Sequence, residues 1–482
     1  MAIRLDSPMS ARIDAPEKTG PSFAELGVPQ ALCELLADEG ITAPFPIQSA
    51  TLPDSLRGRD VLGRGRTGSG KTLAFALPVL ARLSASTHER RSRAPRALIL
   101  APTRELALQI QATIEPLARA LSLSTMSIFG GVNQNPQVTK LRQGVDIVVA
   151  CPGRLEDLLQ QKALVLDAVE ITVLDEADHM ADLGFLPPVK RLMDRTPKQG
   201  QRMLFSATLD KGIDVIVKRY LTDPVTHSVD SEQSPVGTME HHVLHVGAKD
   251  RLAILVDLTS APGRTMVFTR TKHRAKQLAK QLNEAGVPAV EMHGNLSQGA
   301  RVKNLAAFSD GRAVALVATD IAARGIHVDD VALVIHADPP TEHKAYLHRS
   351  GRTARAGNEG TVVTLATESE RREVATLTRK AGIKPTVSEV RPGDAVLFVL
   401  APGDRSLLSA DEIALAFPPT SQGGSARAAG APGRPRRRSS GSGGGASSGS
   451  GRGRSSGGSS HANRSSQSPG QSRSRRSAGR SR

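Results

Sequence analysis

Between Arg64 and Leu73 the chain reads Gly65-Arg66-Thr67-Gly68-Ser69-Gly70-Lys71-Thr72. A glycine, four residues and then Gly-Lys-Thr constrain the fold more than any other stretch. Gly65, Gly68 and Gly70 allow left-handed backbone and close approach to a ligand. Successive N–H groups in such a loop point inward and form an anion cradle. Lys71 has the charge and reach to meet phosphate groups, and the Thr72 hydroxyl suits a magnesium ion. The next residues, Leu73-Ala74-Phe75-Ala76-Leu77, read as a helix whose positive end faces that anion. A Gly/Ser surface turn is the bland alternative, and the rest of the chain must decide.

Continuous aliphatic runs at Ala97–Ala101, Ile147–Ala150, Ile171–Leu174 and Met203–Phe205 predict strands buried on both faces, as in a parallel sheet. Helical patterns at Glu105–Leu121 and Arg154–Gln161 fall between them, so the alternation is that of an α/β domain. It is expected over 21–227, after a disordered leader at 1–20. Ser228–Glu240 is polar, with Gly and Pro, and predicts a linker. A second series follows over 241–400. Its strands are expected at Thr265–Phe268, Ala289–Met292, Val314–Ala318, Val331–Ile335 and Thr361–Leu365, and its helices at Lys272–Ala285 and Gln298–Ser309. It has no glycine-lysine loop of its own. Residues 401–420 give no clear pattern.

From Ser421 onward the chain is Gly, Ser and Arg, too poor in apolar residues to fold. Of a net charge of +16, the 13 arginines in this tail account for all but +3. With no Trp, two Tyr and ten Phe, the cores must be aliphatic. Cys33 and Cys151 are the only cysteines among 482 residues, which argues against a disulfide framework and for a reducing compartment. The start lacks an apolar signal core, and no apolar run approaches the ~18 residues of a membrane span. A soluble, cytoplasmic protein is the expectation.

Val173-Leu174-Asp175-Glu176-Ala177-Asp178 places carboxylates at the tip of a buried strand. Downstream of a phosphate loop, Asp175 suits a metal and Glu176 a general base acting on water. The alternative is an acidic helix cap favoured by the dipole. His348-Arg349-Ser350-Gly351-Arg352-Thr353-Ala354-Arg355 is dense in cations and suits either a solvated loop or a set of arginine fingers.

Asp175-Glu176-Ala177-Asp178 resembles the signature of the DEAD-box ATP-dependent RNA helicase family, of bacterial type, and its other motifs follow in order from about Phe23 to the late 370s. The resemblance implies two tandem RecA-like parallel-sheet domains with a disordered C-terminal tail. It implies an enzyme that binds ATP with Mg²⁺, binds RNA, and hydrolyses ATP to remodel RNA. Phe23 and Gln48 match the adenine-reading motif. Pro102, Thr103 and Arg104, then Gly130 and Gly131, then Pro152, Gly153 and Arg154 match RNA-backbone contacts of the first domain. Arg270, Gln298, Arg301 and Thr319 match those of the second. Asp178, Ser206, Thr208 and His348 match residues that link nucleotide state to RNA work. Arg352 and Arg355 match fingers reaching across the cleft, and Arg324 and His327 match a motif serving the nucleotide.

Some positions depart from the family pattern. Phe45 stands for Thr, Arg66 for Gln, Cys151 for Thr and His327 for Asp, and Ser350 and Ala354 also vary. A neutral imidazole accepts one hydrogen bond where a carboxylate accepts more, so His327 bears on nucleotide affinity. Expected partners are RNA, through a salt-sensitive contact of the arginine tail as well, and ribonucleoprotein or degradation machinery. No membrane is expected, and the chain is expected to act as a monomer. A DNA-directed helicase and an ATP-gated RNA clamp or scaffold are the alternatives.

Overall fold

Short runs of aliphatic residues, hidden on both faces, set the architecture. The computed structural model describes residues 20–65, 68–209, 211–229, 239–323, 328, 331–354 and 360–417. Two seven-stranded sheets result, and every pairing within them is parallel. The first contains β1 Val61–Arg64, β2 Ala97–Leu100, β3 Thr125–Ile128, β4 Ile147–Ala150, β5 Ile171–Leu174, β6 Gln201–Ser206 and β7 Val225–Ser228. Its spatial order is β3-β4-β2-β5-β6-β1-β7. The second contains β8 Met239–His245, β9 Arg264–Thr269, β10 Ala289–Met292, β11 Ala315–Thr319, β12 Val331–His336, β13 Gly360–Ala366 and β14 Thr386–Glu389. Its order is β10-β11-β9-β12-β13-β8-β14, the same topology strand for strand. These are the two tandem RecA-like lobes expected from the sequence.

Helices cover both faces of each sheet, and successive strand residues alternate between the two cores. In the first lobe Val61, Ile99, Val149, Val173 and Phe205 face one core, shared with Lys71–Ala85 and Arg104–Ala120. Leu62, Leu98, Leu100, Val148 and Leu204 face the other. Phe75 and Phe205 meet with ring centroids 5.5 Å apart. Gly63 is the residue that admits Phe205, since a Cβ there would lie 2.5 Å from its ring. The second lobe repeats the pattern, with Val267, Val317 and Ile335 in one core and Met266, Phe268, Leu316 and Val334 in the other.

Strands reach into both ends of the segment 228–240 that was expected as a linker. Ser228 closes β7 beside Arg64, and Met239 and Glu240 open β8 beside Gly360 and Thr361. Polar composition hid these residues because β7 is an edge strand with half-exposed side chains, and such strands carry no continuous apolar run. Residues 401–417, which had no clear pattern, strap onto the second lobe. Ser406 N donates to Ser260 O at 2.9 Å, and Leu408 N donates to Gly286 O at 2.8 Å. Among the described residues no helix is long and apolar enough to cross a membrane. The leader to residue 19, most of the linker, and the arginine-rich tail lie outside the described residues.

Candidate active site

The glycine loop leaves β1 at its carboxyl end. Gly65 N donates to Ser206 O at 3.1 Å, which ties the start of the loop to β6. Gly68 and Gly70 both have φ 87°, left-handed backbone that disfavours any side chain. Gly70 caps the helix Lys71–Ala85. A Cβ on Gly70 would lie 2.6 Å from Gln48 Nε2 and 2.9 Å from Phe45 Cδ2. Lys71 Nζ donates to Gly65 O at 2.7 Å. Thr72 follows on the first turn, half-buried. Arg66 and Thr67 lie outside the described residues.

The buried Gln48 amide holds the end of the loop. Its Oε1 accepts from Phe45 N at 2.9 Å, and its Nε2 donates to Gly70 O at 2.8 Å. One donor and one acceptor position remain on the amide for a ligand. Phe23 is 4% exposed and packs against the first core. Phe45, 45% exposed, also stands beside the loop, and sequence reasoning noted it only as a departure.

The carboxylates stand at the end of β5. Asp175 N donates to Leu100 O at 3.0 Å and Asp175 Oδ1 accepts from Glu176 N at 3.0 Å. Glu176 itself has φ 48° and ψ 52°, a left-handed conformation that costs a non-glycine residue about 1–2 kcal/mol. Its Oε2 lies 3.1 Å from His179 Nδ1. Asp178 Oδ2 accepts from Thr208 N at 2.9 Å and from Thr208 Oγ1 at 3.0 Å. Ser206 Oγ accepts from Asp178 N at 3.2 Å and donates to Thr208 O at 2.8 Å. Asp178, Ser206 and Thr208 are therefore one network that locks the acidic turn to the end of β6.

Environment drives the neighbouring carboxyls apart. Burial pushes Asp175 up to about 7, with the Glu176 charge adding to it and Lys71 opposing it. Burial would raise Glu176 too, but the His179 hydrogen bond and charge, together with Arg352 and Lys71, bring it down to about 2.

Arg352 reaches this site from the second lobe. It follows the helix His343–Ser350, its Nε donates to His348 O at 3.3 Å, and its charge bears on Glu176. Arg349, which sequence reasoning passed over, sets the turn. Its guanidinium pairs with both oxygens of Asp320 at 2.5 and 2.8 Å, donates to Asp338 O at 2.8 Å, and stacks 5.2 Å from the Phe268 ring centre. His348 is half-buried on the preceding turn. Arg324, His327 and Arg355 lie outside the described residues.

The candidate RNA contacts gather in two groups. Arg104 lies over Gly131, φ 77°, where a Cβ would meet its guanidinium at 2.2 Å. Arg154 donates to Val132 O at 3.3 Å beside Gly130, and Gly153 faces open space behind Pro152. The Thr103 hydroxyl, after Pro102, accepts from Leu106 N at 3.2 Å as a helix cap. The second group joins the lobes. Glu105 accepts from Gln298 Nε2 and from Arg301, each at 2.9 Å, and Arg104 reaches Gln298 Oε1 at 3.5 Å. Arg270 is engaged by Asp338, Pro339 and Glu373, while Thr319 ends β11 half-buried.

These parts coincide with known families. The DEAD/DEAH box helicase family matches residues 45–216, and the helicase conserved C-terminal domain matches residues 250–357. The ATP-dependent RNA helicase RhlB of Pseudomonas syringae pv. tomato is 36% identical over 76% of this chain and 95% of its own length. The chloroplastic DEAD-box ATP-dependent RNA helicase 3A of Zea mays is 39% identical over 78% of this chain. The chain spans 52% to 61% of the length of several curated relatives that it matches. The structure of S. cerevisiae Dbp5 bound to RNA and ADP BeF3 superposes with a TM-score of 0.69 at 27% identity, covering 79% of this chain and 98% of that one. Loop, acidic turn and arginine turn thus sit inside matched segments, and the chain belongs to the DEAD-box ATP-dependent RNA helicase family.

Proposed function

We propose that this protein is an RNA-stimulated ATPase that remodels RNA by closing its two lobes around nucleotide and RNA. The observation that supports this reading is the contact between the lobes at Glu105, which accepts from Gln298 and Arg301, with the Arg352 charge bearing on Glu176. The loop N–H groups and Lys71 hold the phosphates, and Gln48 offers its remaining donor and acceptor to the base. Glu176 accepts the proton of the attacking water, and Arg352 stabilises negative charge developing on the transferred phosphoryl group. The donor set fits Mg²⁺: Asp175 and Thr72 supply hard oxygen atoms, and a dication relieves the crowding of two buried carboxylates. When bound, Mg²⁺ neutralises phosphate charge.

Arg104 and Arg154 take RNA phosphates on the first lobe. Gln298 and Arg301 act first on the other lobe, through Glu105, so RNA binding and lobe closure share residues. ATP then works by its higher affinity for the closed state. RNA-bound relatives support RNA over DNA as the polymer.

Arg352→Ala tests this in the full chain. RNA-stimulated phosphate release is expected to fall about 1,000-fold while nucleotide binding changes only a few-fold. Undiminished turnover, or equal stimulation of the unaltered protein by DNA and RNA, overturns the reading.

A further inference from the structure

We propose that His179 is a positioning residue for the base, holding the Glu176 carboxylate so that its second oxygen stays open to the attacking water. This rests on the reading of Glu176 as that base. Three observations carry it.

The first is the hydrogen bond itself. Glu176 caps the short helix Ala177–Asp182, and a spacing of three residues brings the His179 ring over its carboxylate. Nδ1 lies 3.1 Å from Oε2, a distance at which a carboxylate oxygen requires a donor.

The second is what the ring lacks. His179 is 4% exposed, and its Nε2 has no hydrogen-bond partner among the described residues. The ring's single side-chain hydrogen bond therefore goes to Glu176. A buried polar atom left without a partner costs about 1–3 kcal/mol, and an apolar side chain would fill the same space without that cost. The residue is poorly chosen for packing and well chosen for holding a carboxylate.

The third is the competition for Glu176. Lys71 and Arg352 both bear on it electrostatically, and either cation could draw the carboxylate off its line toward water. The left-handed backbone at Glu176 removes the ordinary helical restraint on that side chain. Asp178 cannot substitute as the orienting group, since a carboxylate has no donor to offer another and its oxygens already accept from Thr208 and from His179 N. His179 anchors Oε2 and leaves Oε1 as the acceptor. A base held by a third group follows the same logic as other oriented catalytic pairs.

The test uses the full chain with ATP and a single-stranded RNA oligonucleotide. His179→Leu keeps bulk and removes the donor. Its kcat is expected to fall about 10- to 100-fold with KM for ATP and RNA affinity unchanged, since only alignment is lost. Its melting temperature is expected to be no lower than that of the unaltered protein, because the orphan nitrogen is gone. His179→Asn, whose amide nitrogen occupies the place of Nδ1, is expected to recover most of kcat. Unchanged kcat in His179→Leu overturns the proposal, as does His179→Asn being equally slow. A loss of activity matched by lowered melting in both variants assigns His179 to packing and also overturns it. Glu176→Gln separates the two layers. If it is inactive while His179→Leu is fast, the positioning role alone falls; if Glu176→Gln turns over normally, the base reading falls and this proposal with it.

Discussion

The two lobes share one topology and differ at the turn that matters. In the first, β1 runs into a loop with left-handed glycines and then into the helix that Lys71 opens. In the second, the corresponding connection from β8 is Val246-Gly247-Ala248-Lys249-Asp250, leading into the helix Arg251–Thr259. There the Asp250 carboxylate folds back over the turn, so that a Cβ on Gly247 would lie 2.5 Å from its Oδ2. One lobe has glycines with left-handed backbone in this turn, and the other puts a carboxylate of its own there. The parallel scaffold is indifferent to chemistry; a few βα turns decide it. The second lobe instead places its cations after the central strand β12, where Arg349 braces the turn that precedes Arg352.

The sharpest way to break this comparison is to add one methyl group to each turn. Gly70→Ala must adopt a left-handed φ and displace Gln48 and Phe45. We expect nucleotide affinity to fall about 10- to 100-fold, in line with 1–3 kcal/mol of local strain. Gly247→Ala meets only the tip of Asp250 and should leave affinity unchanged within about twofold. Equal losses, read by titration with a fluorescent ATP analogue, would refute the division of labour.

The next effect concerns the contact between lobes. Glu105→Ala strands Gln298 and Arg301, and losing one partner of a buried charged pair costs about 2 kcal/mol or more. RNA affinity in the presence of a non-hydrolysable ATP analogue should weaken about 30-fold, while nucleotide affinity without RNA stays constant. Fluorescence anisotropy distinguishes the two, and an unchanged RNA affinity would remove Glu105 from lobe closure.

The last comparison is between the cores. The first lobe buries the apolar pair Phe75 and Phe205, but the second buries His241, His336 and Tyr346 together. Burial lowers His241 to about 4, with the charge of His242 adding to it, and His336 is lowered as well. The unfolded chain then binds protons that the folded chain refuses. Stability from His241 is complete above pH ~6.5, falls as pH drops toward 4, and levels off below, by at most ~3 kcal/mol. His241→Phe should flatten the melting temperature over that window. An identical slope in both proteins would show that His241 does not titrate as placed.

Legibility followed burial. The central strands β2, β4, β5 and β6 are hidden on both faces and were readable as continuous apolar runs. The edge strands β7 and β14 expose polar side chains and left no such trace, whereas the edge strand β10, mostly buried, was readable. The glycine loop and acidic turn were legible because their chemistry needs fixed residue types at fixed spacing. The burial of Phe23 was not, since an aromatic ring suits a core as well as a ligand and the sequence does not show its packing. His179 and Arg349 were missed for a related reason: each acts through a neighbour, and a single histidine or arginine in sequence does not declare its partner.

The order of residues alone determined that this chain forms parallel α/β lobes, that the first carries a phosphate cradle and a carboxylate pair, and that its cations gather near residue 350. These follow from local backbone freedom, periodic burial and charge, which the sequence contains. Tertiary structure alone decided that Gln298 and Arg301 meet Glu105 and that Arg352 comes to bear on Glu176. Such contacts join residues up to 196 positions apart. They depend on how two separately folded sheets present their turns to each other, and no local pattern encodes that distance.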